Sequence, residues 1–214
     1  MVEYLEDYQF LRAGWFDYPE DLNQQDPFNL GGFAKVQPYY ARIAEVHALR
    51  DDVKPMIRTY FNALSTLLCR ANLSLWEHFH NAGAWNKTHE TGWFLAQSRL
   101  LFVQERGDEL WLAPFLTTAW LQDGMRVNVE RAPTRFGEAG YAIHSSVTQG
   151  VIAATVHSPV RTRPEKIVLR LRHPEAKPMR KVFVNDQPYE RFDPARETIT
   201  LSASAEPIQV RAEY

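Results

Sequence analysis

Val182-Phe183-Val184-Asn185-Asp186-Gln187-Pro188 is the stretch that most clearly predicts a fold in this chain. An apolar run leads into an Asn-Asp pair, which favours a tight turn, so the segment predicts a β-hairpin. Similar short β-rich runs lie on both sides of it, separated by Pro, Gly and Asn residues. Seven such runs within about 90 residues are typical of an antiparallel β-sandwich. The runs are 126–130, 141–147, 152–157, 167–171, 181–184, 198–201 and 208–213.

The part of the chain before these runs has a helical pattern instead. Apolar residues at three- and four-residue spacing predict a helix over 38–49 and a second over 52–70, with Pro55 in its first turn. Only a few residues join the two segments, so we expect them to pack as an antiparallel hairpin. A further apolar helix is predicted over 91–104. Such helices suit either a small bundle or the last hairpins of a larger assembly.

Composition divides the chain near Asp123-Gly124. Residues 1–124 carry 10 basic and 16 acidic side chains, a net charge of -6, whereas residues 125–214 carry 14 and 10, a net charge of +4. All six Trp and 21 of the 27 aromatic residues fall in the first part. We therefore expect a helical domain over 1–124 and a β-sandwich domain over 125–214. Carboxylates beside aromatic faces suit a neutral polyhydroxylated ligand such as a sugar, and a large aromatic core is the plainer interpretation.

The overall charge and hydropathy exclude several classes of partner. A formal net charge of -2 gives no reason to expect a nucleic acid or a membrane surface as partner. No apolar run reaches the roughly 18 residues that a bilayer-spanning helix requires. The N-terminal sequence is acidic and lacks the apolar core of a signal peptide. The single Cys69 lies in an apolar helical stretch and is expected to be a buried, inert thiol.

Polar and aromatic side chains are densest between the second and third predicted helices. The segment reads Leu75-Trp76-Glu77-His78-Phe79-His80-Asn81-Ala82-Gly83-Ala84-Trp85-Asn86-Lys87-Thr88-His89-Glu90-Thr91-Gly92-Trp93. A carboxylate beside large apolar rings is partly desolvated, which raises its pKa towards the range useful for acid/base catalysis. That chemistry suits cleavage of an acetal. Trp76 and Trp85 are candidate stacking platforms for a sugar ring.

Other chemistries have less support in this segment. His78, His80, His89 and Glu90 are residue types that bind metals, but they show no HExxH motif and no zinc-type spacing, so no metal site is expected. Ser74 and Ser98 lack the G-x-S-x-G context of a nucleophilic serine. We expect no cofactor.

The same segment resembles the end of the catalytic domain in six-hairpin, (α/α)6 glycosidases of the alpha-L-rhamnosidase-like type. Trp76-Glu77 resembles their Trp-Glu pair, and the segment from Asn86 to Trp93 resembles the Asn-His-containing stretch that opens an apolar helix before a closing β-sandwich. The resemblance implies that Glu77 is the general base that activates water and that His89 contacts the substrate. It implies an α+β multidomain fold in which N-terminal helical hairpins form a partial α/α toroid ahead of an antiparallel β-sandwich. The residues expected to bind substrate are Trp76, His78, Trp85, Asn86, His89 and Glu90.

The resemblance also implies that the chain is the C-terminal piece of a glycoside hydrolase. Twelve helices complete such a barrel, so the N-terminal barrel portion and the general acid would lie upstream, and the isolated chain would be inactive or weakly active. If the longer chain has a signal peptide, the protein would be bacterial periplasmic or extracellular. Two alternatives stay open. One is a polysaccharide lyase that uses Asn86, His89, His80 and Tyr60, and the other is a carbohydrate-binding module without catalysis.

Overall fold

The computed structural model describes residues 43–76 and 86–214. The chain divides into two compact units, 1–98 and 99–214. The domain boundary expected near Asp123-Gly124 lies inside the second unit. Within the described residues, no helix is both long enough and apolar enough to span a membrane.

The described part of the first unit consists of short helices and a small hairpin. Helix α1 (Ile43–Arg50) and helix α2 (Val53–Leu67) are joined by a tight turn in which Asp51 has a φ of 63°. Asp tolerates this left-handed conformation better than most residues do. Strands β1 (Leu68–Cys69) and β2 (Ser74–Leu75) then form the hairpin.

Helix α3 (Thr88–Phe102) is the last helix before the sheets. It begins in the first unit and ends in the second. Strands β3 (Val103–Arg106) and β4 (Glu109–Leu112) follow it directly as an antiparallel pair. The residues that follow α3 therefore belong to a sheet rather than to a further helical hairpin.

The prediction of a partial α/α toroid is wrong. Residues 43–76 and 86–214 contain three α-helices, and the remaining structure is dominated by two sheets of five and six strands. Apolar residues at helical spacing show only that one face of the helix is buried. They do not show whether that face packs against another helix or against a sheet. The number of hairpins therefore could not be inferred from periodicity.

The five-stranded sheet has the order β11-β12-β8-β4-β3. Its three further strands are β8 (Lys166–Arg170), β11 (Phe192–Asp193) and β12 (Thr198–Leu201). Strands β4 and β8 run parallel, with Leu110 opposite Ile167, whereas the other pairs are antiparallel. This sheet is mixed, in contrast to the purely antiparallel sandwich that the sequence predicts.

The six-stranded sheet is antiparallel throughout and has the order β10-β9-β13-β7-β6-β5. The short runs after Met125 all contain strands, as expected. The strands of this sheet are β5 (Arg126–Thr134), β6 (Gly137–Ser146), β7 (Val151–His157), β9 (Lys181–Val184), β10 (Gln187–Pro188) and β13 (Ile208–Glu213).

The hairpin predicted at Asn185-Asp186 is confirmed. Both residues have positive φ, 49° and 62°, and Val184 pairs with Gln187 across the turn. Positive φ at both central positions is the geometry of a type I′ turn, which matches the twist of the flanking strands.

Side chains from both sheets form one hydrophobic core in the second unit. Alternate residues of β6 and β7 are buried, including Tyr141, Ile143 and Ile152, and from the other sheet Leu112 and Leu169 are fully buried. Each such side chain contributes about 1.5–3 kcal/mol relative to an exposed position. The alternation leaves the other face of the six-stranded sheet to polar residues.

Candidate functional site

The structure describes some of the residues expected from the sequence to form a site. Glu77, His78 and Trp85 lie outside the described residues, as does His80. Trp76, Asn86, His89 and Glu90 lie within them: Trp76 is partly buried, Asn86 and His89 are exposed, and Glu90 is buried.

Backbone hydrogen bonds hold the residues on either side of the segment 77–85. The Trp76 N–H donates to the Leu67 carbonyl at 2.7 Å, and the Lys87 N–H donates to the Leu75 carbonyl at 3.1 Å. Helix α3 then begins at Thr88, and Thr91 donates through both its N–H and its hydroxyl to the Lys87 carbonyl. The first turn of α3 is therefore fixed next to the β1–β2 hairpin.

Glu90 is the most unusual residue of this turn. Its side chain is 1% exposed, and neither carboxylate oxygen accepts a hydrogen bond from any described residue. Its Oε1 lies 3.5 Å from Nδ1 of His89, whose half-exposed ring packs against Trp93 with ring centroids 3.9 Å apart. Burying a carboxylate without hydrogen bonds is costly, so such a group is retained where it has a partner or a task.

A small pocket lies where Glu90 is buried. It is lined by residues that succeed one another at helical spacing on α2 and α3, together with Leu75, and it has a volume of about 10 Å³. That volume is close to what one water molecule or one hydroxyl group needs. The lining residues are Tyr60, Ala63, Leu64, Leu67, Leu75, Glu90, Phe94 and Gln97. We call this space the Glu90 pocket.

Gln97 is the second polar group of the Glu90 pocket that has no hydrogen-bond partner among the described residues, and no sequence pattern pointed to it. Its side chain is buried, and its Nε2 donates to no described residue. Glu90, Phe94 and Gln97 are four and seven residues apart on α3, so they share one helix face. That spacing is visible in the sequence, but a glutamine on an apolar helix face gives no signal that it lacks a partner.

Tyr60 closes the pocket on the α2 side. Its hydroxyl lies 2.8 Å from Oγ of Ser98, and its ring stacks on Phe94 with centroids 5.6 Å apart. Burial raises the pKa of the Tyr60 phenol, an effect that the hydrogen bond with Ser98 partly offsets. Tyr60 therefore stays protonated near neutral pH.

The Glu90 pocket offers one acceptor group and one donor group in an apolar surrounding. An occupant must donate to the carboxylate and accept from the amide, and a hydroxyl group or a water molecule does both. Within residues 43–76 and 86–214, no three His, Cys, Asp or Glu side chains come together as a metal site.

Comparisons with known proteins give little further information. No protein-family model and no curated protein matches this chain. A solved structure described as "Glycoside hydrolase" is similar over 83% of this chain at 10% sequence identity, with a TM-score of 0.38. The chain spans 29% of the length of that structure. A similarity this weak does not establish a shared fold or a shared activity.

Proposed function

We propose that this chain is part of a glycoside hydrolase and that the segment from Trp76 to Trp93 supplies part of its carbohydrate site. The observation that supports this proposal is the Glu90 pocket, where a buried carboxylate and a buried amide both lack hydrogen-bond partners among the described residues. A sugar presents hydroxyl groups, and each hydroxyl both donates and accepts. The Glu90 pocket has room for one such group.

The energetics favour an occupant in this pocket. An unsatisfied buried polar group costs about 1–3 kcal/mol, and a charged group costs more. A hydroxyl or water between Glu90 and Gln97 removes both penalties at once. A cation satisfies the carboxylate but leaves the Gln97 N–H groups without an acceptor. The chemistry of the pocket therefore favours a hydroxyl over a metal ion.

We propose Glu77 as the general base because Trp76-Glu77 resembles the Trp-Glu pair of the six-hairpin glycosidases. It follows Trp76, whose backbone N–H donates to the carbonyl of Leu67, the last residue of α2. In an inverting mechanism the base activates a water molecule, and a general acid about 6.5–9.5 Å away protonates the leaving group. We propose that this acid belongs to another part of the same polypeptide, so that the isolated chain binds sugar but cleaves it slowly.

The remaining residues of the segment are proposed to contact the substrate. Trp76 and Trp85 provide ring faces, while His78 and Asn86 provide hydrogen bonds. His89 bridges from the exposed surface to the buried carboxylate of Glu90. The Glu90–His89 pair therefore links the Glu90 pocket to the surface on which a sugar would bind.

Tyr60 is a poor candidate for the catalytic base of a polysaccharide lyase. A lyase abstracts a proton with a deprotonated Tyr or a neutral His. Tyr60 is engaged by Ser98, and burial raises its pKa, so it is a poor base at neutral pH. An assay of glycoside hydrolysis distinguishes a carbohydrate-binding module without catalysis from a hydrolase.

The test compares Glu90→Gln, Glu77→Gln and a control, Glu206→Gln, which changes an exposed carboxylate in the second unit. We expect Glu90→Gln to weaken monosaccharide binding by about tenfold or more, the loss of one charge-assisted hydrogen bond. Glu77→Gln should leave binding in place and remove the residual hydrolysis of an aryl glycoside. Glu206→Gln should change neither property.

Three results would contradict the proposal. If the sugars that bind do so equally well with Glu90→Gln, the Glu90 pocket is not part of the carbohydrate site. If hydrolysis by the wild-type chain is detected and persists with Glu77→Gln, the base is another residue. Binding without any hydrolysis, both alone and with the rest of the polypeptide added, would establish the non-catalytic module.

A further inference from the structure

The outer face of the six-stranded sheet carries a shallow depression with a volume of about 470 Å³. Strands β5, β6, β7 and β13 line it, so it crosses four neighbouring strands, roughly 14 Å at about 4.8 Å per strand. We call this depression the outer trough. Its principal side chains are Arg126, Asn128, Ala142, His144, Ala153 and Gln209.

Small residues form the floor of the outer trough. Ala142 and Ala153 lie on the adjacent strands β6 and β7, and each is flanked across the ladder by larger polar residues. Ala153 is opposite His144, and Ala142 is opposite Asn128. Because a methyl group stands where the neighbours have long side chains, a flat ring can approach the sheet between them.

The carboxylates around the outer trough are already engaged. Glu130 accepts a hydrogen bond from Asn128 at 2.6 Å, and Glu138 accepts two from Arg131 at 3.0 Å each. Asp123 accepts two hydrogen bonds from Thr148, through the Thr148 N–H and its hydroxyl. Glu213 is paired with Arg211.

Arg126 is the exception among the charged groups of the outer trough. Its side chain is exposed, and no hydrogen bond or ion pair joins its guanidinium to any described residue. It lies directly opposite His144 on the neighbouring strand. A positive charge without a partner among the described residues therefore lies at one end of a row of amide and hydroxyl groups, which includes Thr155 and Gln209. The Thr155 hydroxyl donates to the side-chain oxygen of Gln209 at 2.9 Å.

We propose that the outer trough binds an acidic oligosaccharide through a uronate carboxylate. Arg126 receives the carboxylate in the paired geometry that a guanidinium favours, with His144 beside it. The amides of Asn128 and Gln209 bond to ring hydroxyls, and the sugar ring lies over Ala142 and Ala153. This site is separate from the Glu90 pocket, and the inference does not depend on the proposed hydrolase activity.

The experiment uses the 214-residue chain and titrates it with tri-galacturonate at physiological ionic strength. Backbone and Arg Nε chemical shifts are followed by NMR, and the carboxyl-reduced neutral trimer serves as the comparison ligand. We expect shifts concentrated in β5, β6 and β7, and binding of the neutral trimer weaker by about tenfold or more. Arg126→Gln should weaken tri-galacturonate binding by a similar factor, and Ala142→Leu should weaken it by filling the floor.

The matched control is Arg163→Gln, which removes an exposed arginine that is not part of the outer trough. It should leave the affinity within about twofold of the wild-type value, since at physiological salt a distant exposed charge is largely screened. Equal losses with Arg126→Gln and Arg163→Gln would show unspecific attraction and overturn the proposal. Shifts confined to α2 and α3, equal affinity for the neutral trimer, or no binding at all would also overturn it.

Discussion

Glu90 and Gln97 lie seven residues apart on one face of α3, and both place buried polar atoms, which have no hydrogen-bond partner among the described residues, at the same small pocket. A helix returns to the same face after seven residues, so the helix alone brings the two groups together. Helix α2 then covers them with Tyr60 and apolar side chains. A donor and an acceptor are thereby held ready for a third group.

Replacing Glu90 by Gln is expected to stabilise the empty protein. The isosteric amide removes a buried charge that accepts no hydrogen bond from the described residues, and we expect a gain of roughly 1–2 kcal/mol in the free energy of unfolding. Denaturant unfolding at pH 7 measures it, with Glu206→Gln as the control that changes nothing. A loss of stability would mean that Glu90 already has a partner in the folded protein.

His173 is expected to make stability depend on pH. Burial lowers its pKa below the ordinary value of 6.5, and its Nδ1 accepts the Glu175 N–H at 3.1 Å, which requires the neutral ring. The unfolded chain therefore binds a proton more readily than the folded protein, so stability falls as the pH drops below about 6.5 towards the lowered pKa. Melting temperatures between pH 7.5 and 5.5 measure the slope.

The matching variant is His173→Asn, which keeps an acceptor and cannot take up the proton. Its melting temperature should fall less over the same interval, while between pH 7.5 and 8.5 both proteins should show the same slope. Identical slopes down to pH 5.5 would show that His173 does not contribute to the acid sensitivity.

Arg170 is expected to be needed for the stability of the second unit. It is 2% exposed, and its guanidinium donates to the carbonyls of Pro114 at 2.8 Å and Arg196 at 3.2 Å. Lysine keeps the charge but cannot make this fork of hydrogen bonds, so Arg170→Lys should cost about 2–3 kcal/mol. Urea unfolding measures the loss, and Arg163→Lys, at an exposed position, should stay within about 0.5 kcal/mol of the wild-type value.

Substitution by alanine should lower the stability of the protein at Gly140 and raise it at Gly92. A Cβ at Gly140 would lie 2.9 Å from the Val129 carbonyl oxygen, beside the bulge in β5, so Gly140→Ala should cost about 1–3 kcal/mol. Gly92 lies in α3, and apart from its neighbours in the helix no described residue has an atom within 4 Å of the point that an alanine methyl group would occupy. Gly92→Ala should therefore add about 0.5–1 kcal/mol by improving helix propensity. Thermal unfolding of both variants tests the pair, and a change of the same sign in both would refute this explanation.

Local patterns predicted the β part of the fold well. The strand runs after Met125 and the Asn185-Asp186 turn depend on alternation and on turn residues, both of which are properties of a few adjacent positions. The pairing of β4 with β8 was not predictable in that way, because the partners are more than fifty residues apart and the ladder is parallel. The strands that complete the five-stranded sheet were therefore assigned to a helical domain.

For the candidate site, too, the sequence shows the residue types, whereas burial and hydrogen bonding depend on the fold. Residue types in the segment from Trp76 to Trp93 predicted a site there, and the roles of its residues, including His89 and Glu90, stay predictions. That Glu90 is buried without a hydrogen bond, and that Gln97 shares its pocket, depends on the packing of α2 against α3. Strand register likewise decides that the Arg126 guanidinium has no partner among the described residues and that alanines form the floor beside it.

The sequence alone was sufficient to locate the strands and turns after Met125 and the concentration of polar and aromatic residues, because these features follow from neighbouring side chains. The tertiary structure was needed to establish which strands pair, how few helices the described chain contains, and which polar groups lose water without gaining a partner among the described residues. Burial and hydrogen-bond satisfaction are sums over contacts between distant residues, so a one-dimensional pattern does not contain them.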